Sequence, residues 1–188
     1  MRSSRSLSTQ DSKVLSALEI PIITPKARAP CVVRWGNLRV GSIKLNVDGS
    51  CYENPETCGG GGVIQGCSKD FLGVYSSFFG YGTNNKVDLR ALMEEVWMCK
   101  EMGYMNVEIE CDSNEVVDWV RSQKCMIWYF WDFWEELLEA LSMINFTTAH
   151  QFKEGNKAAD FLARQGEKCT TMRYLEFDSL PCLVRGMI

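Results

Sequence analysis

Four aspartates in this chain have the chemistry and the placement to act together. Asp48 closes the run Ile43-Lys44-Leu45-Asn46-Val47-Asp48-Gly49-Ser50, and Asp112 closes Val107-Glu108-Ile109-Glu110-Cys111-Asp112-Ser113. Asp88 lies in Thr83-Asn84-Asn85-Lys86-Val87-Asp88-Leu89, and Asp160 in Gly155-Asn156-Lys157-Ala158-Ala159-Asp160-Phe161. Two stand at the ends of short runs of alternating apolar residues, and two near the starts of helical patterns. Carboxylates at element ends can converge on one point. Once converged they repel, so they need a divalent cation between them. Hard oxygen ligands favour Mg²⁺ or Mn²⁺ over softer metals. Two such ions can clamp the attacking and leaving oxygens of a phosphodiester. The residues therefore imply metal-dependent cleavage of a nucleic acid strand.

The elements that must position these groups follow from periodicity. Ile43–Asp48 alternates as a strand, and Gly61–Gln65 and Leu72–Phe79 read as the next two. Turn residues fill Cys51–Gly60 and Gly66–Asp70. Thr83 or Asn84 can cap a long helix that runs to about Met102 and is ended by Gly103, with Leu89, Leu92, Met93, Val96 and Trp97 on its apolar face. Val107–Cys111 is a fourth strand. Ser113 caps a short helix from Asn114 to about Arg121. A further helix spans roughly Tyr129 to Leu141, with Trp131, Trp134, Leu138 and Leu141 directed to the core. Phe146–Phe152 is the fifth strand, and Lys157–Gly166 the last helix. This order predicts an α/β fold, a mixed sheet covered by helices.

In order and spacing, Asp48-Gly49-Ser50, Thr83-Asn84-Asn85, the Asp112-Ser113 strand end, and His150 ten residues before Asp160 resemble the type 1 ribonuclease H family. The likeness is greatest to the RNase H-like domain of plant non-LTR retroelement reverse transcriptases and the host proteins derived from them, and it covers roughly residues 41 to 167. It implies an RNase H-like fold: a mixed five-stranded sheet of order 3-2-1-4-5 with helices on both faces. Asp48 and Asp112 would then end neighbouring strands. The implied metal ligands are Asp48, Asp88, Asp112 and Asp160, holding two Mg²⁺ that Mn²⁺ can replace. The expected arrangement gathers Asp48, Asp112 and Asp160 around a shared ion, with Asp88 at the rim. The family usually has Glu at the position of Asp88. A side chain shorter by about 1 Å can cost ~10²-fold in rate, so weak activity is expected.

His150 matches the family's mobile histidine, placed on a loop, which assists proton transfer or product release; its imidazole can carry a proton near neutral pH. Thr83, Asn84 and Asn85 correspond to the segment that touches the substrate in the minor groove, where 2′-OH groups distinguish RNA from DNA. Gly49, Ser50 and Asn114 are expected to contribute similarly. The implied partner is an RNA–DNA hybrid and the implied activity an endonuclease that cuts its RNA strand. Two alternatives stand beside it: a retroelement-derived module that binds nucleic acid or protein without catalysis, and a nuclease of the same fold acting on DNA. The run Gly59-Gly60-Gly61-Gly62 lacks the following Lys-Ser/Thr of a phosphate-binding loop, and close backbone packing is enough to explain it.

Composition bounds the rest. At 188 residues, 46% hydrophobic and 23% charged, the chain suits one globular domain plus an extension. The reading divides it into a flexible basic arm or linker (1–40), the domain (41–167) and a tail (168–188). The arm holds seven Lys/Arg and two Asp/Glu, while the whole chain is −4, so the body is strongly acidic. An acidic body is a poor nonspecific phosphate binder. The first ten residues faintly resemble an organelle transit peptide. The nine cysteines form no C-x-x-C pair, and reduced intracellular thiols are expected. No apolar run is long enough for a membrane span. A monomer in nucleus or cytoplasm is expected, and aromatic segment 128–134 is a candidate for stacking on bases or docking a partner.

Overall fold

The structure, a computed structural model, describes residues 9–18, 38–52, 56–68 and 70–188. The chain divides into two compact units, residues 1–32 and 33–188. In the first, helix α1 (Thr9–Ala17) stands where the sequence shows no sustained period. The transit-like residues 1–8, most of the arm from 19 to 37, and turn residues 53–55 and 69 lie outside the described residues.

The second unit is built on strands β1 (Ile43–Cys51), β2 (Glu56–Gln65), β3 (Phe71–Gly82), β4 (Asn106–Cys111), β5 (Asn145–His150) and β6 (Met172–Tyr174). The helices are α2 (Asn84–Glu101), α3 (Asn114–Ser122), α4 (Trp131–Ser142), α5 (Lys157–Glu167) and α6 (Cys182–Arg185). The sheet order is β5-β4-β1-β2-β3-β6. This is the expected 3-2-1-4-5 arrangement with one strand added at its edge. The addition comes from residues 168–188, read from sequence as a tail. Three residues of β6 pair antiparallel with β3 at Val74, Tyr75 and Ser76, too short a run to show in the sequence pattern.

Hairpins join β1, β2 and β3, while β1, β4 and β5 are parallel. The central strands are covered on both faces, as parallel strands require. On one face Ile43, Leu45, Val47, Val107 and Ile109 pack with Leu89, Leu92 and Val96 of α2, Val116 and Val120 of α3, and Trp134, Leu137 and Leu141 of α4. On the other, Val63 and Val74 pack with Leu162 of α5 and Leu180 and Val184 of the C-terminal segment. Ser113 caps α3 by accepting from the Val116 N–H at 3.4 Å. Thr83 occupies the N-cap of α2 but makes no side-chain cap bond.

The glycine run acts by close approach. A Cβ at Gly59 or Gly61 would overlap the backbone of α5, and one at Gly60 or Gly62 would overlap Phe79 or Glu95 from the α2 side. Helix α5 therefore lies nearly backbone to backbone on β2.

Two expectations from sequence do not hold. The core of the aromatic segment is Phe130, Trp134, Leu137 and Leu141. Trp131, expected inside, is 55% exposed, and Phe130, left as a candidate for the surface, is 1% exposed. A single-turn 3-10 helix over Trp128–Phe130 precedes α4 and shifts the buried register by one residue. Cys51 and Cys58 are joined in a disulfide, against the expectation of reduced thiols throughout. They face each other across the β1–β2 hairpin with Cα atoms 4.1 Å apart, a pairing that only the strand register reveals. Among the described residues six cysteines are free.

Candidate active site

The site begins with the register of the two central parallel strands. Val47 of β1 pairs with Cys111, the last residue of β4, so Asp48, three residues before the end of β1, and Asp112, just past β4, stand next to each other. The third carboxyl comes from α2. Gly49 makes this possible: its N–H donates to Asp88 Oδ1 at 3.0 Å, and a Cβ at position 49 would overlap Asp88 and the Val87 carbonyl carbon. The first turn of α2 thus rests directly on the end of β1.

These groups open into a cleft of about 270 Å³ lined by Asp48, Gly49, Ser50, Cys51, Asn84, Asp88, Asp112, Ser113 and Lys153. Electrostatics there are unfavourable for charge. Burial, followed by repulsion from Asp112 and Asp88, holds the Asp48 carboxyl well above the usual carboxylate range, with Asp112 in hydrogen-bond contact. Burial and the Asp112 charge push Asp88 up to about 7, against the opposing Gly49 N–H and Ser113 hydroxyl. One Asp48 oxygen, Oδ2, is buried with no hydrogen-bond partner. Unpaired buried acceptors are rare and costly.

Asp160 stands differently. It lies in the first turn of α5, and its Oδ1 accepts from Arg164 Nη2 at 3.1 Å and pairs with Lys153 Nζ at 3.3 Å. Lys153 also approaches Asp112 Oδ2 at 4.0 Å. Asp88 stands with Asp48 and Asp112, and Asp160 meets the cleft through Lys153. The physical reason is the approach of α2 at Gly49 on one side and the two basic residues claiming Asp160 on the other. Among the described residues no three His, Cys, Asp or Glu side chains form a ready cage for one ion; the carboxyls are paired with one another or with cations.

His150 is the last residue of β5 rather than part of a loop. Its Nε2 lies 3.2 Å from the Asp112 carbonyl oxygen, and its ring meets Phe152 edge to face. Asn84 lines the cleft. Asn85 donates to Glu115 Oε2 at 2.6 Å, tying the start of α2 to α3. Thr83 and Asn114 are exposed at the starts of those helices.

Sequence reasoning missed the group that holds the segment between β5 and α5. Glu110 accepts from Lys44 Nζ at 2.6 Å, Asn46 Nδ2 at 2.9 Å and Gln151 Nε2 at 3.1 Å. Asn156 donates to the Val47 carbonyl at 2.9 Å. All five side chains are buried. The signal was present: Lys44 and Asn46 alternate with apolar residues on a strand buried on both faces, so they had to find polar partners. Lys153 was missed too, because nothing in its local sequence marks it.

Residues 46–166 match the family model described as reverse transcriptase-like. An Arabidopsis thaliana protein provisionally named as a ribonuclease H is 24% identical over 164 residues, which cover 86% of this chain and 26% of that one. The chain thus spans about a quarter of that relative. A ribonuclease H of Rickettsia canadensis is 29% identical over 150 residues, covering 70% of this chain and 93% of the relative. Among solved structures, RNase H1 of Halobacterium salinarum superposes with a TM-score of 0.65 at 20% identity, covering 69% of this chain and all of that one. LC11-RNase H1 in complex with an RNA/DNA hybrid superposes with a TM-score of 0.64 at 23% identity, covering 68% and 97%. These two likenesses show the fold.

Proposed function

This chain belongs to the reverse transcriptase-like family, and we propose on that premise that it is a divalent-metal-dependent endonuclease cutting the RNA strand of RNA–DNA hybrids. The observation that carries the reading is the meeting of Asp48, Asp112 and Asp88 from three separate elements in one open cleft. Relatives named ribonuclease H and a fold neighbour bound to an RNA/DNA hybrid support the substrate class.

The residues fit a hard cation. All the donors are carboxylate oxygens, two carboxyls are held above their ordinary range by mutual repulsion and burial, and one buried oxygen lacks a partner. Asp48, Asp88 and Asp112, with Asp160 once released from Lys153, would hold two Mg²⁺, with Mn²⁺ as a substitute; bound there, the ions would supply activation of a water and neutralisation of charge on the phosphodiester. The chain's own part is orientation. Asp48 and Asp112 define the line along which a phosphate meets the cleft, because both strands are fixed by the sheet. Gly49, Ser50, Asn84 and Ser113 present small polar groups at its wall. Thr83, Asn84, Asn85 and Asn114 lie at the starts of two neighbouring helices, where amides that both donate and accept can read 2′-OH groups. His150, seated against the Asp112 carbonyl at the edge of the site, is placed to aid proton transfer or product release.

The test is cleavage of an end-labelled hybrid in Mg²⁺ and in Mn²⁺ by the wild type and by Asp48→Asn. The variant keeps its size and loses a charged ligand, so activity should vanish. Equal cleavage by both proteins would place the activity elsewhere. No cleavage by the wild type with either ion, together with retained hybrid binding, would favour a binding module without catalysis.

A further inference from the structure

We propose that Lys153 is a built-in cation of the carboxylate site, seated between Asp112 and Asp160, where it competes with one divalent ion. The proposal rests on the nuclease reading above and deepens it.

The lysine is positioned, not merely nearby. Its segment is fixed at both ends to the strands that carry Asp48 and Asp112. The Gln151 N–H donates to the Cys111 carbonyl at 2.9 Å, and the Gln151 side chain donates to buried Glu110 at 3.1 Å. At the far end Asn156 donates to the Val47 carbonyl at 2.9 Å. Between these anchors, Lys153 sends its ammonium into the carboxylate cleft, 3.3 Å from Asp160 and 4.0 Å from Asp112. Its charge reaches Asp48 as well, but Asp48 Oδ2 stays buried without a hydrogen-bond partner.

The site is thereby split. Asp48 and Asp88 crowd with Asp112 in the cleft with no cation in contact with either among the described residues, and that side takes one divalent ion. The Asp112–Asp160 side already holds the Lys153 ammonium, with Arg164 also on Asp160, and takes a second ion only by displacing the lysine. A unit charge beside a divalent ion opposes its binding, and solvent around this exposed side chain screens much of that repulsion. A difference of about tenfold in affinity at the second position remains.

Manganese binding to the full chain without nucleic acid reads this directly, by the electron paramagnetic resonance of free Mn²⁺. The wild type should show one tighter and one weaker ion. Lys153→Gln should tighten the weaker ion by about tenfold and lower the melting temperature of the metal-free protein, because Asp112 and Asp160 lose a counter-charge. Lys153→Arg, which keeps the charge, should stay within about twofold of the wild type. Unchanged Mn²⁺ affinities in Lys153→Gln would overturn the proposal, as would equal tightening in Lys153→Arg. If the wild type binds Mn²⁺ and cleaves hybrid while Lys153→Gln binds it identically, this inference alone falls. If no protein binds Mn²⁺ and none cleaves, the nuclease reading falls with it.

Discussion

A glutamate at position 88 would carry its carboxyl one methylene farther than Asp88 does, into a cleft whose width is set by the Gly49–Asp88 contact. From sequence alone the shorter side chain reads as a defect. With α2 resting on β1 at Gly49, the shorter arm is expected to be the length that fits. Asp88→Glu is therefore expected to lower hybrid cleavage by about tenfold, through misplacement of an oxygen by about 1 Å. Steady-state cleavage in Mg²⁺ checks this, and a gain instead would mean that the helix is not set for the short arm. Gly49→Ala should destabilise the fold by about 1–3 kcal/mol, because its Cβ would push against the α2 backbone; a thermal melt that matches the wild type would contradict the close approach. At this scale legibility divides by partner distance. Asp48 and Asp112 were readable because strand alternation and order fix both. The partners of Asp88 and Asp160 were not, because they depend on a glycine 39 residues from Asp88 in sequence and on a lysine that only folding brings to the site.

Helix α2 also carries Glu95, fully buried over Gly62 with neither oxygen hydrogen-bonded. Burial, with repulsion from Glu94 behind it, holds its carboxyl well above the usual glutamate range. The folded protein therefore keeps this proton, whereas the unfolded chain releases it above about pH 4.3. The unfolded state then binds fewer protons than the native one, so this group lowers stability as pH rises from about 4.3 towards its folded value. Glu95→Gln should abolish that contribution. Thermal melts in EDTA should show a shallower fall between pH 5 and pH 8 for the variant, and parallel curves would sink the assignment. On the opposite face, α5 lies on Gly59 and Gly61, and Gly61→Ala should cost about 1–3 kcal/mol, since the overlapping atoms are backbone. The elements themselves were legible to within a few residues wherever a period ran long enough. The buried register of α4 was not, because 130-134-137-141 and 131-134-138-141 are both helical spacings, and only the turn before Trp131 decides between them.

Charge is the property of the whole molecule that bears most on substrate. Residues 1–40 carry seven Lys/Arg and two Asp/Glu in a chain of net charge −4, so the part that bears the carboxylate cleft is acidic. Within it Lys44 is committed to Glu110, Arg164 to Asp160, and Arg173 to Glu94 and Glu101. Asp and Glu outnumber Lys and Arg over residues 41–188, so this unit as a whole repels a hybrid's phosphates. Each phosphate neutralised by Lys or Arg releases a condensed counterion, so the affinity falls with salt in proportion to the number of phosphates engaged. If the N-terminal basic residues engage them, replacing Arg2, Arg5, Lys13, Lys26 and Arg28 by Gln in the full chain should weaken hybrid binding at low salt by about tenfold or more. The slope of log affinity against log salt should become shallower by several units, at roughly 0.7–0.9 for each phosphate no longer neutralised. The turnover rate at saturating hybrid should stay the same, because the carboxylates that form the cleft are left unchanged. Fluorescence anisotropy of a labelled hybrid across a salt series measures the first two quantities, and multiple-turnover cleavage measures the third. An unchanged slope would assign the electrostatic grip to the acidic unit itself, with its bound ions as the principal cations. A lower turnover rate at saturation would mean instead that the basic segment takes part in placing the scissile phosphate.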